Sequence, residues 1–334
     1  MLRKYLTNGH WDTSDLTQKA LRYLREDAGF WWCISIMMAV YAVICLHGAY
    51  VNGWHEWYFK WVWPLAASPI ILVMKWLDEQ FKASLYILVA FAQFTIGFDI
   101  ILYCTPILLT TTHHFIDHQL FAIDKWMHIS VMDFVNITNS HPFFHKIMFK
   151  CYALLDKTYL LLIFFLAIMG EKKDLNRLLI IMLIGAGVAG LVFYFFPAFG
   201  PNSIFHTNSI PRYDELELPQ YHNVLKGINP FKTHYYAGFV SIPSIHCYAA
   251  SLGIYTIFKN AKTRILLAPL AIVDAGVVAS TMFLGEHYFI DLIVAWALLA
   301  ITIFAYNYIA KLCTQRQSYT SNAKLKISQV SVQA

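Results

Sequence analysis

The sequence predicts an all-α integral membrane protein, a bundle of about eight membrane-spanning helices with an interfacial helix and a folded external loop. Three observations carry that reading. Charged residues make up 13% of the chain, against roughly 25% in soluble domains. Mean hydropathy is +0.50, and the apolar residues gather into runs near the ~20 residues that cross a bilayer core as a helix. Trp31, Trp32, Trp54, Trp57, Trp61 and Trp63 sit beside these runs, where an aromatic belt would place them.

The candidate spans are residues 30–51, 57–75, 83–108, 151–170, 176–196, 237–258, 264–284 and 287–310. Pro64 and Pro69 fall in the second, so neighbouring helices must satisfy the backbone groups they free. The first run begins near residue 30 and is long enough to span rather than to be cleaved as a secretory signal. Lys and Arg concentrate in alternate connections: Arg3, Lys4, Lys19, Arg22 and Arg25; Lys75 and Lys82; Lys172, Lys173 and Arg177; Lys259, Lys262 and Arg264; and Lys311, Arg316, Lys324 and Lys326. The positive-inside bias therefore puts both termini in the cytoplasm.

Two long connections then lie on the other side. Residues 109–150 carry apolar residues at helical spacing (Leu120, Ile123, Trp126, Met127, Val131, Phe134) among charges, the pattern of a helix in the interface plane. Residues 197–236 are rich in Pro, Asn, His and Tyr and read as a folded external loop. The last dozen residues are polar and are expected to be disordered. The net charge of +5 is dispersed over loops, which argues against nucleic acid as a partner. The six cysteines lack CxxC spacing and read as packing residues.

The chemistry is concentrated in Ser241-Ile-Pro-Ser-Ile-His246 and Gly285-Glu-His-Tyr-Phe-Ile-Asp291, which open the sixth and eighth spans at one membrane surface. Ionisable groups at a span are costly and are functional candidates by default. His287 and Asp291 are four apart, on one helix face. A carboxylate there accepts one imidazole proton and frees the other nitrogen as a nucleophile. Pro243 suits a first helical turn, whose amides, with the Ser244 hydroxyl, offer a phosphate site. His246 then stands one turn in, as a general acid for a leaving oxygen. Phosphoryl transfer through a phosphohistidine follows from these parts. The structural alternative, two helix-end histidines without chemistry, leaves their shared surface and the Asp at i+4 unexplained.

These stretches resemble the second and third motifs of the type 2 phosphatidic acid phosphatase superfamily, Pro-Ser-Gly-His and Ser-Arg followed after five residues by His and after three more by Asp. Here they read Pro243-Ser244-Ile245-His246 and Ser280-Thr281, then His287, then Asp291. The resemblance implies His287 as nucleophile, Asp291 as its orienter, His246 as general acid and a six-helix catalytic core. It covers roughly residues 115–310. Ile245 stands where the motif has glycine and Thr281 where it has arginine. The first motif, Lys-x6-Arg-Pro, is absent, since Lys172 and Arg177 are too close together, on the wrong side and without the proline. Among the branches, the run from Ser280 to Asp291 with Phe239-x-Ser241-x-Pro243-Ser244-x-His246 is most similar to the inositol phosphorylceramide synthases, which also lack the two arginine features. That similarity implies transfer of a phospho-headgroup of inositol phosphate type between lipids, and so a sphingolipid connection. The partners implied are a phospholipid donor and a lipid alcohol acceptor.

On this reading residues 1–29 form a cytoplasmic segment, 30–108 the N-terminal transmembrane helices, 109–312 the catalytic domain and 313–334 a cytoplasmic tail, with the active site on the non-cytoplasmic face. Arg212, Lys226 and, more weakly, Asn202 are on the right side to contact a substrate phosphate, together with Ser241 and Ser244; Arg212 and Lys226 read equally as solvated loop charges. A second cluster, His113, His114, Asp117 and His118 with His141 and His145, includes an i, i+4 histidine pair of metal-ligand spacing. It is read as an interfacial polar face, with a metal site as the alternative. Nothing in the motifs demands a metal or another cofactor. Asp99 and Lys157 fall inside spans, as a structural pair or part of a pathway. A lipid phosphate phosphatase is the close alternative function. A transporter is the distant one, and the chain lacks the two-half symmetry and paired broken spans expected of it.

Overall fold

The computed structural model describes residues 115–198, 200–202, 241–259 and 261–333. The expected spans at 30–51, 57–75 and 83–108, most of the 197–236 loop, and Asp99, His113, His114, Arg212 and Lys226 lie outside the described residues. What is described is helical throughout: α1 (Asp117–Trp126), α2 (Val131–Ser140), α3 (Pro142–Tyr152), α4 (Leu155–Ile168), α5 (Lys172–Phe195), α6 (Ile245–Lys259), α7 (Ala261–Phe283) and α8 (Phe289–Gln333).

The expected interfacial helix is three short ones. A turn at Met127–His128, with His128 at φ 58°, separates α1 from α2. Ser130 caps α2 by accepting the Asp133 N–H. Pro142 opens α3 at a position where its missing N–H costs nothing. The expected span 151–170 is part of a bent pair, Pro142–Tyr152 with Leu155–Ile168, meeting at 44°.

Three helices are long and apolar enough to cross a membrane, Lys172–Phe195, Arg264–Phe283 and Phe289–Leu312, or four if the bent pair is one span. The expected count of eight is therefore not reached among the described residues. Three of the predicted runs lie outside them. The run 237–258 resolves into α6, only 15 residues long, because the chain from Ser241 to Ser244 is non-helical and Ser244 caps the helix. The tail, expected to be disordered, continues α8 through Gln333. It contains neither Pro nor Gly after residue 312, so no backbone signal stops the helix.

α6 is the central strut. Cys247, Tyr248, Ala250 and Leu252 are fully buried against α5, α7 and α8. Tyr248 lays its ring on Gly185 of α5, where a Cβ would collide with it. Its hydroxyl donates to the Ile181 carbonyl at 2.7 Å and lies 2.9 Å from Thr302 Oγ1 of α8. Gly253 and Gly276 likewise admit Asp274 and Cys151 at close range, the small-residue packing that joins helices in lipid. Outward-facing Ile265 at 88% and Phe304 at 73% exposure are what a lipid-bathed surface requires. The molecule is thus a multi-pass membrane bundle with its tightest packing around α6.

Candidate active site

The site forms where the segment before α6 meets the turn before α8. Ser244 Oγ accepts the Cys247 N–H at 3.2 Å, making Ser244 the cap of α6. Pro243, expected in the first turn, precedes the cap instead. His246 is then the second helical residue. At the other helix, Asp291 is the third residue of α8, and its Oδ2 reaches back to the Tyr288 N–H at 2.9 Å, as in the returning half of a capping box. Asp124, from α1, accepts the next two amides, Phe289 N–H at 2.8 Å and Ile290 N–H at 3.0 Å. One carboxylate from 165 residues away thus fixes where α8 begins.

Between these helix ends lies Ser241. Its carbonyl is 2.8 Å from His287 Nδ1, and its hydroxyl donates to Asp291 Oδ2 at 2.5 Å. His287 Nδ1 is 3.6 Å from that same Oδ2. The spacing predicted the carboxylate as the direct acceptor of the imidazole proton. The shorter contact goes instead to the carbonyl, which comes from a segment 46 residues away in sequence. Either way Nδ1 is engaged by a protein group, and Nε2 is the nitrogen left for a nucleophilic role. Asp291 Oδ1 is buried and has no hydrogen-bond partner among the described residues.

His246 lies with its ring centroid 6.4 Å from that of His287, at 51°, so one phosphoryl centre can meet both imidazoles. Its other face is covered by Tyr152, the last residue of α3, stacked at 4.1 Å and 18°, with the phenol oxygen 3.4 Å from Nδ1. Asp117 stands out in the sequence only as part of the histidine cluster; Tyr152 and Asp124 do not stand out, and Asp124 reads as an interfacial charge. No local pattern marks them, since each acts on a distant segment.

The remaining predicted residues divide. Ser241 and Ser244 are brought to the site, but as framework: both are buried and both hydroxyls are engaged with protein groups. Asn202 is brought there too. Its amide donates to Leu284 O at 3.0 Å and to Glu286 Oε1 at 3.3 Å, and its own N–H to Gly285 O at 3.1 Å. It therefore clamps the turn that presents His287. Gly200, two residues earlier, donates its N–H to Asp117 Oδ1 at 2.9 Å and packs against the Glu286 carbonyl, where a side chain would collide. Its φ of +96° is one only glycine adopts readily. Thr281, standing where the motif carries arginine, is buried and donates to Val278 O at 2.7 Å within its own helix. His118 and His141 are exposed and His145 half-buried, and among the described residues no group of three or more His, Cys, Asp or Glu converges as metal ligands do.

Burial pushes the Asp124 carboxyl above its ordinary value, against the two amides that lower it and with the Asp291 charge adding to the rise. Burial likewise drives the Tyr288 phenol upward, reinforced by the charges of Asp117 and Asp291. The buried Tyr288 phenol therefore stays neutral.

Two histidines at adjoining helix starts in an apolar bundle fit one class, the membrane enzymes of lipid phosphate chemistry. Residues 118–305, more than half of the chain, match the PAP2 superfamily, and the chain belongs to it. It is an enzyme of this superfamily, whose members are phosphatases and phosphotransferases acting on lipids. No curated protein matches the chain, and no solved structure does.

Proposed function

We propose that the enzyme transfers a phospho-headgroup of inositol phosphate type from a phospholipid donor to a lipid alcohol such as ceramide, through a phosphohistidine on His287. The observation that carries this reading is the pairing of His287, tethered at Nδ1 to the Ser241 carbonyl, with His246 at a ring separation of 6.4 Å. In the first half-reaction His287 Nε2 attacks phosphorus. The bond from phosphorus to the diacylglycerol oxygen breaks, and that oxygen takes a proton from His246. In the second, the acceptor hydroxyl attacks phosphorus, its proton passes to His246, and the P–N bond breaks to regenerate His287. Asp291 orients the nucleophile and offsets the positive charge that develops on it.

The choice of transfer over hydrolysis is supported by Thr281, which replaces the motif's arginine, and by the missing Lys-x6-Arg-Pro motif. The α6 N-terminus and the loop cations Arg212 and Lys226 are then the sources of positive charge for the phosphate. The alternation of Lys and Arg between connections supports a site on the non-cytoplasmic face, with both termini in the cytoplasm and residues 109–312 as the catalytic domain. A lipid phosphate phosphatase uses the same first half-reaction, with water as the acceptor.

Purified enzyme in detergent, given labelled phosphatidylinositol with ceramide or diacylglycerol, and separately phosphatidic acid, tests the proposal. A new phospholipid formed by wild type and not by His287→Ala is the expected result. Phosphate released from phosphatidic acid without transfer establishes the phosphatase. Activity retained in His287→Ala sinks the mechanism.

A further inference from the structure

We propose that Tyr152 is the positioning residue of the general acid: its ring is the platform that holds the His246 imidazole, edge-on to the scissile phosphate, in place to protonate the leaving oxygen. This rests on the transfer chemistry proposed above and assigns it a group outside both histidine stretches.

Tyr152 and His246 are stacked nearly parallel, 18° apart at 4.1 Å between centroids. At that angle the phenol oxygen, 3.4 Å from Nδ1, lies over the imidazole face rather than along its lone pair, so the contact is π-stacking first and hydrogen bonding second. Stacking fixes the plane of a ring that is only the second residue of its helix. His287 is the ring's other neighbour, with centroids 6.4 Å apart and planes tilted by 51°, so a phosphate held by one imidazole is within reach of the other.

The platform is itself anchored. Tyr152 packs with Phe144, Met148, Phe283 and Leu284. On one side Cys151 Sγ seats against Gly276 of α7, where a Cβ would come to 2.9 Å. On the other, Thr158 donates to Asp274 of α7 at 2.8 Å. The 44° bend between α3 and α4 follows directly after Tyr152, so both arms of the bend are fastened to α7 with Tyr152 at the elbow. A tyrosine that merely filled space needs neither a parallel ring nor two flanking anchors.

A general acid matters in proportion to the basicity of the oxygen it protonates, so the test compares leaving groups. Full-length Tyr152→Leu and Tyr152→Phe are assayed with phosphatidylinositol, whose leaving group is an alkoxide, and with 4-nitrophenyl phosphoinositol, whose leaving phenolate needs no proton. In single-turnover measurements of the first half-reaction, Tyr152→Leu is expected to lose about tenfold or more in diacylglycerol release from phosphatidylinositol and little in nitrophenolate release from the nitrophenyl donor. Tyr152→Phe, which keeps the platform, is expected to stay near wild type on both. Equal losses on the two donors, or a Phe variant as impaired as Leu, overturn the proposal. If Tyr152→Leu does not fold, Tyr152→Trp takes its place beside Phe. Both are then expected to keep the wild-type ratio between donors, and a changed ratio overturns it. His287→Ala runs in parallel: dead on both donors, it leaves the transfer mechanism standing whatever Tyr152 does, whereas an active His287→Ala removes the mechanism itself.

Discussion

The Nδ1 nitrogen of His287 lies 2.8 Å from the main-chain oxygen of Ser241, closer than its 3.6 Å approach to the Asp291 carboxylate. The same serine's hydroxyl donates to that carboxylate at 2.5 Å. His287 and Asp291 are thus coupled through one residue, whose carbonyl serves the imidazole and whose side chain serves the carboxylate. The arrangement divides a role that sequence spacing assigns to Asp291 alone. It also gives backbone geometry, which no substitution at 241 removes, the first claim on the imidazole proton.

Ser241→Ala therefore keeps the carbonyl and deletes only the link to Asp291. Asp291 Oδ1 already lacks a partner among the described residues, so the variant leaves the buried carboxylate with the Tyr288 N–H as its remaining hydrogen bond, at a cost of about 1–3 kcal/mol. A fall in kcat of about tenfold with KM little changed is expected, because the lost group is buried and acts through Asp291. Combined with Asp291→Asn, the two losses should be less than additive. Steady-state kinetics of the single and double variants decide it. A raised KM with intact kcat returns Ser241 to the phosphate contact that its motif position predicts.

Asp124 makes a prediction about pH. Its folded-state carboxyl is raised above the ordinary 3.8, first by burial, so the folded protein binds more protons there than the unfolded chain does. Stability from this group is fully present below 3.8 and is lost as pH climbs through its folded value. The thermal midpoint of wild type in detergent should therefore decline, relative to Asp124→Asn, as pH rises from about 4 to about 7. Parallel curves for the two proteins across that range contradict it. Asp124→Ala, which uncaps the Phe289 and Ile290 amides, should lower stability at every pH, by about 1 kcal/mol.

How far the sequence reaches is clear from these residues. His246, His287 and Asp291 stand out because each of their two short stretches is a local pattern, and the structure brings the two stretches together; the long apolar runs that form α5, α7 and α8 stand out because lipid imposes a length. Asp124, Tyr152 and the Ser241 carbonyl do not, because each works on a segment far away in the chain and none has a residue type that announces it. The position of Asn202 in the sequence points to a phosphate contact. Its amide instead closes the Leu284–Glu286 turn, a difference only tertiary contact reveals. The short α6 hides in an apolar run because a central buried helix and a lipid-facing one have the same composition.

Gly200 and Gly170 form a controlled pair. Both have left-handed backbones, at φ +96° and +70°, so alanine at either costs about 1–2 kcal/mol of strain. Around Gly170 there is open space, whereas a Cβ on Gly200 drives into the Glu286 carbonyl, one residue before His287. Gly170→Ala should lower the melting temperature and leave turnover intact. Gly200→Ala should lose at least about tenfold in kcat as well, since the turn carrying the nucleophile must move. Equal turnover in the two variants refutes the view that the Gly200 contact sets the position of His287.

Asp274 is a carboxyl buried inside the α7 span, accepting from Thr158 at 2.8 Å and pressed against the bare Cα of Gly253. Thr158→Val removes a donor and leaves an acceptor group in an apolar bundle, so a stability loss of about 1–3 kcal/mol is expected. Asp274→Asn keeps an acceptor for the threonine hydroxyl while abolishing any charge, and should be neutral or stabilising. The double variant completes a cycle whose coupling energy reports the hydrogen bond alone. Because Thr158 also fastens the elbow below Tyr152, its loss should lower kcat on phosphatidylinositol more than on the nitrophenyl donor. A Thr158→Val enzyme that is less stable but equally slowed on both donors shows instead that this bond holds the bundle together without directing the general acid.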